Sequence, residues 1–85
     1  SKYDKAIFLT LTTKTTSFNS LADAVDSLKK SKTKLLDMIK KKCLRNGLTK
    51  DKDGNLSFDY LAVLELGKEN LMPHYHIIIF GTDYF

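Results

Sequence analysis

The sequence predicts an α+β fold: an antiparallel sheet in β-α-β-β order with one long helix covering one face. Three observations predict it. Residues 6–13 mix β-branched and aromatic side chains in partial alternation, residues from about 20 to 45 follow a period of three to four, and two further strand-type runs, 58–66 and 72–80, flank a short polar segment at 67–70.

In the first run Ile7, Leu9 and Leu11 fall on one side and Phe8, Thr10 and Thr12 on the other, which reads as a strand with one buried face. The polar stretch 13–17 breaks the alternation. Asn19 or Ser20 can then accept a backbone N–H as an N-cap. Leu21, Val25, Leu28, Leu35, Ile39 and Cys43 form the apolar stripe of the helix, with one break at Lys32, and Ala22, Leu36 and Leu44 widen it. Asp23 and Asp26 stand near the positive end of the helix dipole, and Lys40, Lys41, Lys42 and Arg45 near the negative end. Asn46-Gly47 supplies the stop.

The Asp53-Gly54 pair marks a turn, because glycine accepts the positive φ that tight turns require. A calcium loop does not fit here. With Asp53 at the fifth position the first would be Thr49 and the twelfth Tyr60, and neither is the carboxylate such a loop needs. The runs 58–66 and 72–80 then read as a β-hairpin.

Eighty-five residues leave room for one small domain, spanning 1–85. A net charge of +4 and a pI near 9.2 suit a polyanionic partner without demanding one. The lone Cys43 has no internal disulfide partner, no apolar run approaches the roughly 18 residues of a membrane span, and the N-terminus lacks the apolar stretch of a signal peptide. The expectation is a cytoplasmic module with no membrane contact. The lysines of the helix read first as its solvated face and second as a phosphate-binding surface.

The chemistry concentrates in the hairpin. His74 and His76 are the only histidines, and two positions apart on a strand they leave the same face while Tyr75 leaves the other. Two imidazoles so placed can chelate one cation, although histidines on an amphipathic strand also serve as ordinary surface residues. Glu65 weighs toward the ligand reading. A loop centred near residue 70 pairs it with about residue 74 or 75, and a carboxylate interrupting an apolar strand is expected to be buried and to need a cationic partner. One carboxylate and two imidazoles suit Mg²⁺, Mn²⁺ or Zn²⁺, with positions left for water or a phosphate oxygen.

Pro73-His74-Tyr75-His76 followed by Ile77, Ile78, Ile79 and Phe80 resembles the His-hydrophobic-His motif of the HUH endonucleases. Val63-Leu64-Glu65 is similar to the strand that gives their third metal ligand, and Phe8-Leu9-Thr10-Leu11-Thr12 to the first motif of the rolling-circle replication initiators, the Rep branch of that superfamily. The resemblance implies a ferredoxin- or RRM-like Rep fold in which Glu65, His74 and His76 hold Mn²⁺ or Mg²⁺. It also implies Thr10, Thr12 and Lys14 as DNA-contacting residues. The implied activity is site-specific nicking and joining of single-stranded DNA at a replication origin of a plasmid or virus, through a tyrosine that forms a 5′-phosphotyrosyl link and frees a 3′-hydroxyl.

The departure is the nucleophile. The family's tyrosine lies in a Tyr-x-x-Lys motif on a helix beyond the histidines, and none follows here: Tyr84 lacks the lysine, Tyr60 sits within a strand, Tyr75 points away from the ligand face, and Tyr3 fits only a branch that has a third histidine. The expectation is therefore the N-terminal part of a Rep domain, unable to nick alone. A histidine-triad hydrolase would need a histidine at Ile78. A single-strand transposase of the same superfamily and a non-enzymatic basic nucleic-acid-binding module remain as alternatives.

Overall fold

A computed structural model of the chain describes residues 2–12, 20–66 and 73–83. Lys14, the polar stretch 13–17, Asn19, the segment 67–70 and Tyr84 lie outside the described residues. The elements are β1 (Ala6–Thr12), α1 (Leu21–Asn46), β2 (Tyr60–Glu65) and β3 (His74–Phe80). They form a three-stranded antiparallel sheet of order β1-β3-β2, so the strand that carries both histidines is paired on both sides. The α+β class and the element order match the expectation from sequence.

Alternation decides which side of the sheet is covered. Tyr75, Ile77 and Ile79 of β3 are buried and meet Leu28 and Leu36 of α1, while Ile7, Leu9, Leu11, Ala62 and Leu64 pack around that cluster from the flanking strands. Fully burying one such aliphatic side chain contributes about 1.5–3 kcal/mol. The partners of these residues along the chain, Phe8, Thr10, Thr12, Leu61, Val63, Glu65 and His76, are exposed on the opposite face.

The helix is fixed at both ends by the residues its sequence offers. Ser20 is extended and its Oγ accepts from the Asp23 N–H at 3.1 Å, while Gly47 closes the other end at φ 65°, its N–H bonded to the Cys43 carbonyl. The buried stripe is Ala24, Leu28, Leu36 and Cys43, a narrower set than the periodicity suggested. Leu21 and Ala22 are exposed because the first turn reaches past the sheet it covers. Lys32, the break in the stripe, places its ammonium 4.9 Å from the centre of the Tyr75 ring, so its position against the core is stabilised by a cation–π contact. Burial pushes the Cys43 thiol up, against the opposing charge of Lys42.

The connection from α1 to β2 is tied to the far end of the sheet. Asp51 Oδ1 accepts from the N–H groups of Asp53 and Asn55, both at 2.9 Å, so the turn uses this carboxylate itself. Lys50 N–H donates to the Gly81 carbonyl and Gly81 N–H to the Lys5 carbonyl. Gly81 is required here: its φ is 83°, and a Cβ would stand 2.5 Å from the Lys50 carbonyl oxygen.

Candidate metal centre

Strand register builds the site. Glu65 on β2 is opposite His74 on β3, and Thr12 on β1 is opposite the same residue, so Thr12, His74 and Glu65 make one row across the open face. Thr10, His76 and Val63 make the next, and Phe8, Ile78 and Leu61 the third. These rows lie roughly 7 Å apart along the strands. The pairing of Glu65 with His74 is what the hairpin arithmetic predicted.

Glu65 Oε2 lies 2.6 Å from His76 Nε2 and 3.2 Å from His74 Nε2, and the two rings meet edge to face at 4.7 Å between centres. One ligand atom from each residue falls within 4.8 Å of the others. Donors around an ion bound at about 2.0–2.2 Å stand roughly 3 Å apart, so carboxylate and imidazoles fit one small divalent cation with minor adjustment. All three reach it from the protein side, leaving the solvent side open to water or a phosphate oxygen.

One expectation is corrected. Glu65 is not a buried carboxylate; its side chain is 56% exposed, as is 50% of His76, whereas His74 is 20% exposed. A single helix covers a single face, so a charge on the other face is not desolvated. What gathers the three groups is mutual hydrogen bonding and charge. The hydrogen bond with His76, and then the charge of His74, hold the Glu65 carboxyl below the usual carboxylate range.

Thr10 and Thr12 stand exposed beside the histidines, on the same face as the expected metal ligands. Phe8, 77% exposed, continues that row on β1. The tyrosines do not converge on the cluster. Tyr60 and Tyr75 occupy rows that face the helix side, in register with Ile79 and Leu64 respectively. Tyr3 stacks on Phe80 at 5.6 Å, which is four residues and about 13 Å along β3 from His76.

Tyr3 instead belongs to a clamp that sequence reading missed. Its hydroxyl is hydrogen-bonded to Ser57 at 2.6 Å and to the Asp59 carboxylate, with Lys2 3.4 Å from the same carboxylate. The hydrogen bond from Tyr3, then the charge of Lys2, lower the Asp59 carboxyl against a small opposing effect of burial. More than 50 residues separate these partners in sequence, and no local pattern announces such a pair.

The family model of the replication-associated protein ORF2 matches residues 6–85, which takes in all four elements and the Glu65, His74 and His76 cluster. The chain belongs to this family. No curated protein and no solved structure matches it. Membership of this replication-associated family gives the chain a role in DNA replication and contact with DNA. Among the described residues no helix is long and apolar enough to cross a membrane.

Proposed function

We propose that this member of the replication-associated family provides the metal-binding part of an HUH-type endonuclease that nicks and rejoins single-stranded DNA to start rolling-circle replication. The observation that supports the reading is the meeting of Glu65, His74 and His76 on the open face of the sheet. Glu65, His74 and His76 would hold Mn²⁺ or Mg²⁺, which when bound supplies Lewis-acid polarisation of the scissile phosphate.

The chain's own residues divide the remaining work. Central β3 is paired on both sides and its alternate side chains are locked in the core, so His74 and His76 project from a rigid strand. His76 and Glu65 orient one another through their hydrogen bond. Thr10 and Thr12 offer hydroxyls beside the histidines, positioned to bond the phosphates or sugars that flank the reacting one.

In the covalent step a tyrosyl oxygen forms a bond to phosphorus and the 3′-oxygen leaves with its proton restored, giving a 5′-phosphotyrosyl link and a free 3′-hydroxyl. Tyr3, Tyr60 and Tyr75 are not that nucleophile, since one is too distant and two belong to the other face. The chain corresponds in this reading to the N-terminal part of a Rep domain, and residues 2–83 bind the ion and the strand without cutting it.

Fluorescence anisotropy with a mixed-sequence single-stranded oligonucleotide tests the proposal. Binding should tighten when Mn²⁺ replaces a chelator, and His76→Ala should remove the increment. Equal affinity in Mn²⁺ and chelator, with His76→Ala indistinguishable from the wild type, would favour a metal-independent binding module instead.

A further inference from the structure

The basicity of this chain is not spread over it. Eight of its 14 Lys and Arg but only three of its ten Asp and Glu lie on α1, giving the helix +5 and the remaining residues, with six cations against seven acids, −1. The open face with its ligand cluster is therefore not the basic side of the molecule. The side chains in its three central rows are Thr, His, Val, Phe, Ile, Leu and Glu, with no lysine or arginine.

On α1 the cations follow one line. Lys30, Lys34, Lys41 and Arg45, separated by four, seven and four residues, run down the side away from Leu28 and Leu36, over about 22 Å of helix. Lys30 is paired with Asp26 and Lys41 with Asp37. Lys29, Lys34, Lys40, Lys42 and Arg45 have no carboxylate partner among the described residues and are exposed.

Position along the helix matters as well. The start of α1, at Leu21, Ala22 and Val25, lies against Leu64 and Leu66 at the Glu65 end of the sheet. Its other end leads through Gly47 to Lys50, which bonds Gly81 beyond the opposite end of β3. Lys40, Lys41, Lys42 and Arg45 thus sit on the opposite face from the ligand cluster and toward the far end of the molecule. One short stretch of nucleotides cannot occupy both.

We infer that the outer face of α1, centred on Lys34, Lys40, Lys42 and Arg45, is a second DNA-contacting surface that grips the phosphates of duplex DNA without reading its sequence. It rests on the family's contact with DNA and is independent of the metal reading. Charge complementarity names the partner, and the composition of the face narrows it to a duplex. α1 contains no aromatic residue, so it offers no platform on which unpaired bases could stack. A row of cations with little else reads only phosphates, and a duplex presents twice as many along the same length as a single strand.

The test is the salt dependence of binding to a duplex of arbitrary sequence, about 20 base pairs long, with a chelator present throughout. Lys34→Glu/Arg45→Glu is compared with Lys50→Glu/Lys52→Glu, which changes net charge equally but alters the loop after α1; both pairs are exposed, and circular dichroism verifies that each variant is folded. Losing two phosphate contacts should lower the slope of log K against log salt by about 1.8, so that the wild type loses about tenfold more affinity than the helix variant between roughly 50 and 200 mM salt. The loop variant should keep the wild-type slope. Equal slopes for wild type and helix variant, or equal reductions in both variants, would overturn the inference, the second by showing that only net charge matters. Because no metal is present, neither result depends on Glu65, His74 or His76.

Discussion

The two faces of β3 carry alternate residues of one seven-residue strand and obey different rules. Tyr75, Ile77 and Ile79 are sealed against α1, so their identities are set by volume and apolarity. His74 and His76 leave the same strand toward solvent, where neither packing nor desolvation demands a histidine. The difference teaches that the covered face supplies the stability and the open face is free to be chosen for chemistry. It also explains how a chain this small can keep three interacting titratable groups together, since on an open face they incur little desolvation cost.

Breaking the covered face should give the largest effect. Leu28→Ala removes a fully buried side chain at the centre of the helix–sheet contact and should cost about 2–5 kcal/mol, measured by urea unfolding. That is a large part of the roughly 4–13 kcal/mol available to a chain of this size. Gly81→Ala comes next. Its positive φ alone should cost about 1–3 kcal/mol, and the Lys50 carbonyl oxygen in the way adds to it, which the same unfolding experiment would register.

Ser20→Ala should cost about 1 kcal/mol through loss of the helix cap. At the small end, His76→Ala should change stability by less than about 0.5 kcal/mol while altering whatever the open face binds. Should His76→Ala destabilise as much as Leu28→Ala, the division between the faces would be wrong.

The Tyr3 and Asp59 clamp sharpens the comparison through pH. A carboxyl held below its ordinary range contributes stability above about pH 4, and loses it as pH falls through the lowered value. Tyr3→Phe should therefore be less stable than the wild type at neutral pH, with the gap narrowing in acid. Asp59 is exposed, so the effect should be modest. Unfolding curves of both proteins across the acid range check it; a gap that widens in acid would contradict the assignment.

Much of this was legible in the sequence because strand and helix periods differ. Alternation placed His74 and His76 on one face and Tyr75 on the other, and hairpin arithmetic put Glu65 beside His74. Ser20 and Gly47 bounded the helix as their chemistry suggests. What was not legible depended on tertiary arrangement. Glu65 looked buried because its strand is apolar, but whether the second face of a sheet is covered cannot be read from one strand. The row Phe8, Ile78 and Leu61 required the β1-β3-β2 order, and the Tyr3 clamp joins residues with no local signal between them. Lys32 read as a break in the helix stripe, although the ring of Tyr75 gives it a place there.

The central claim is that Glu65, His74 and His76 form one cation site, and calorimetric titration with Mn²⁺ at neutral pH tests it most directly. The wild-type chain should bind one ion, and Glu65→Ala and His76→Ala should each abolish the heat while both variants remain folded. Equal heats from all three proteins would mean that the cluster is a set of hydrogen-bonded surface residues and not a metal centre.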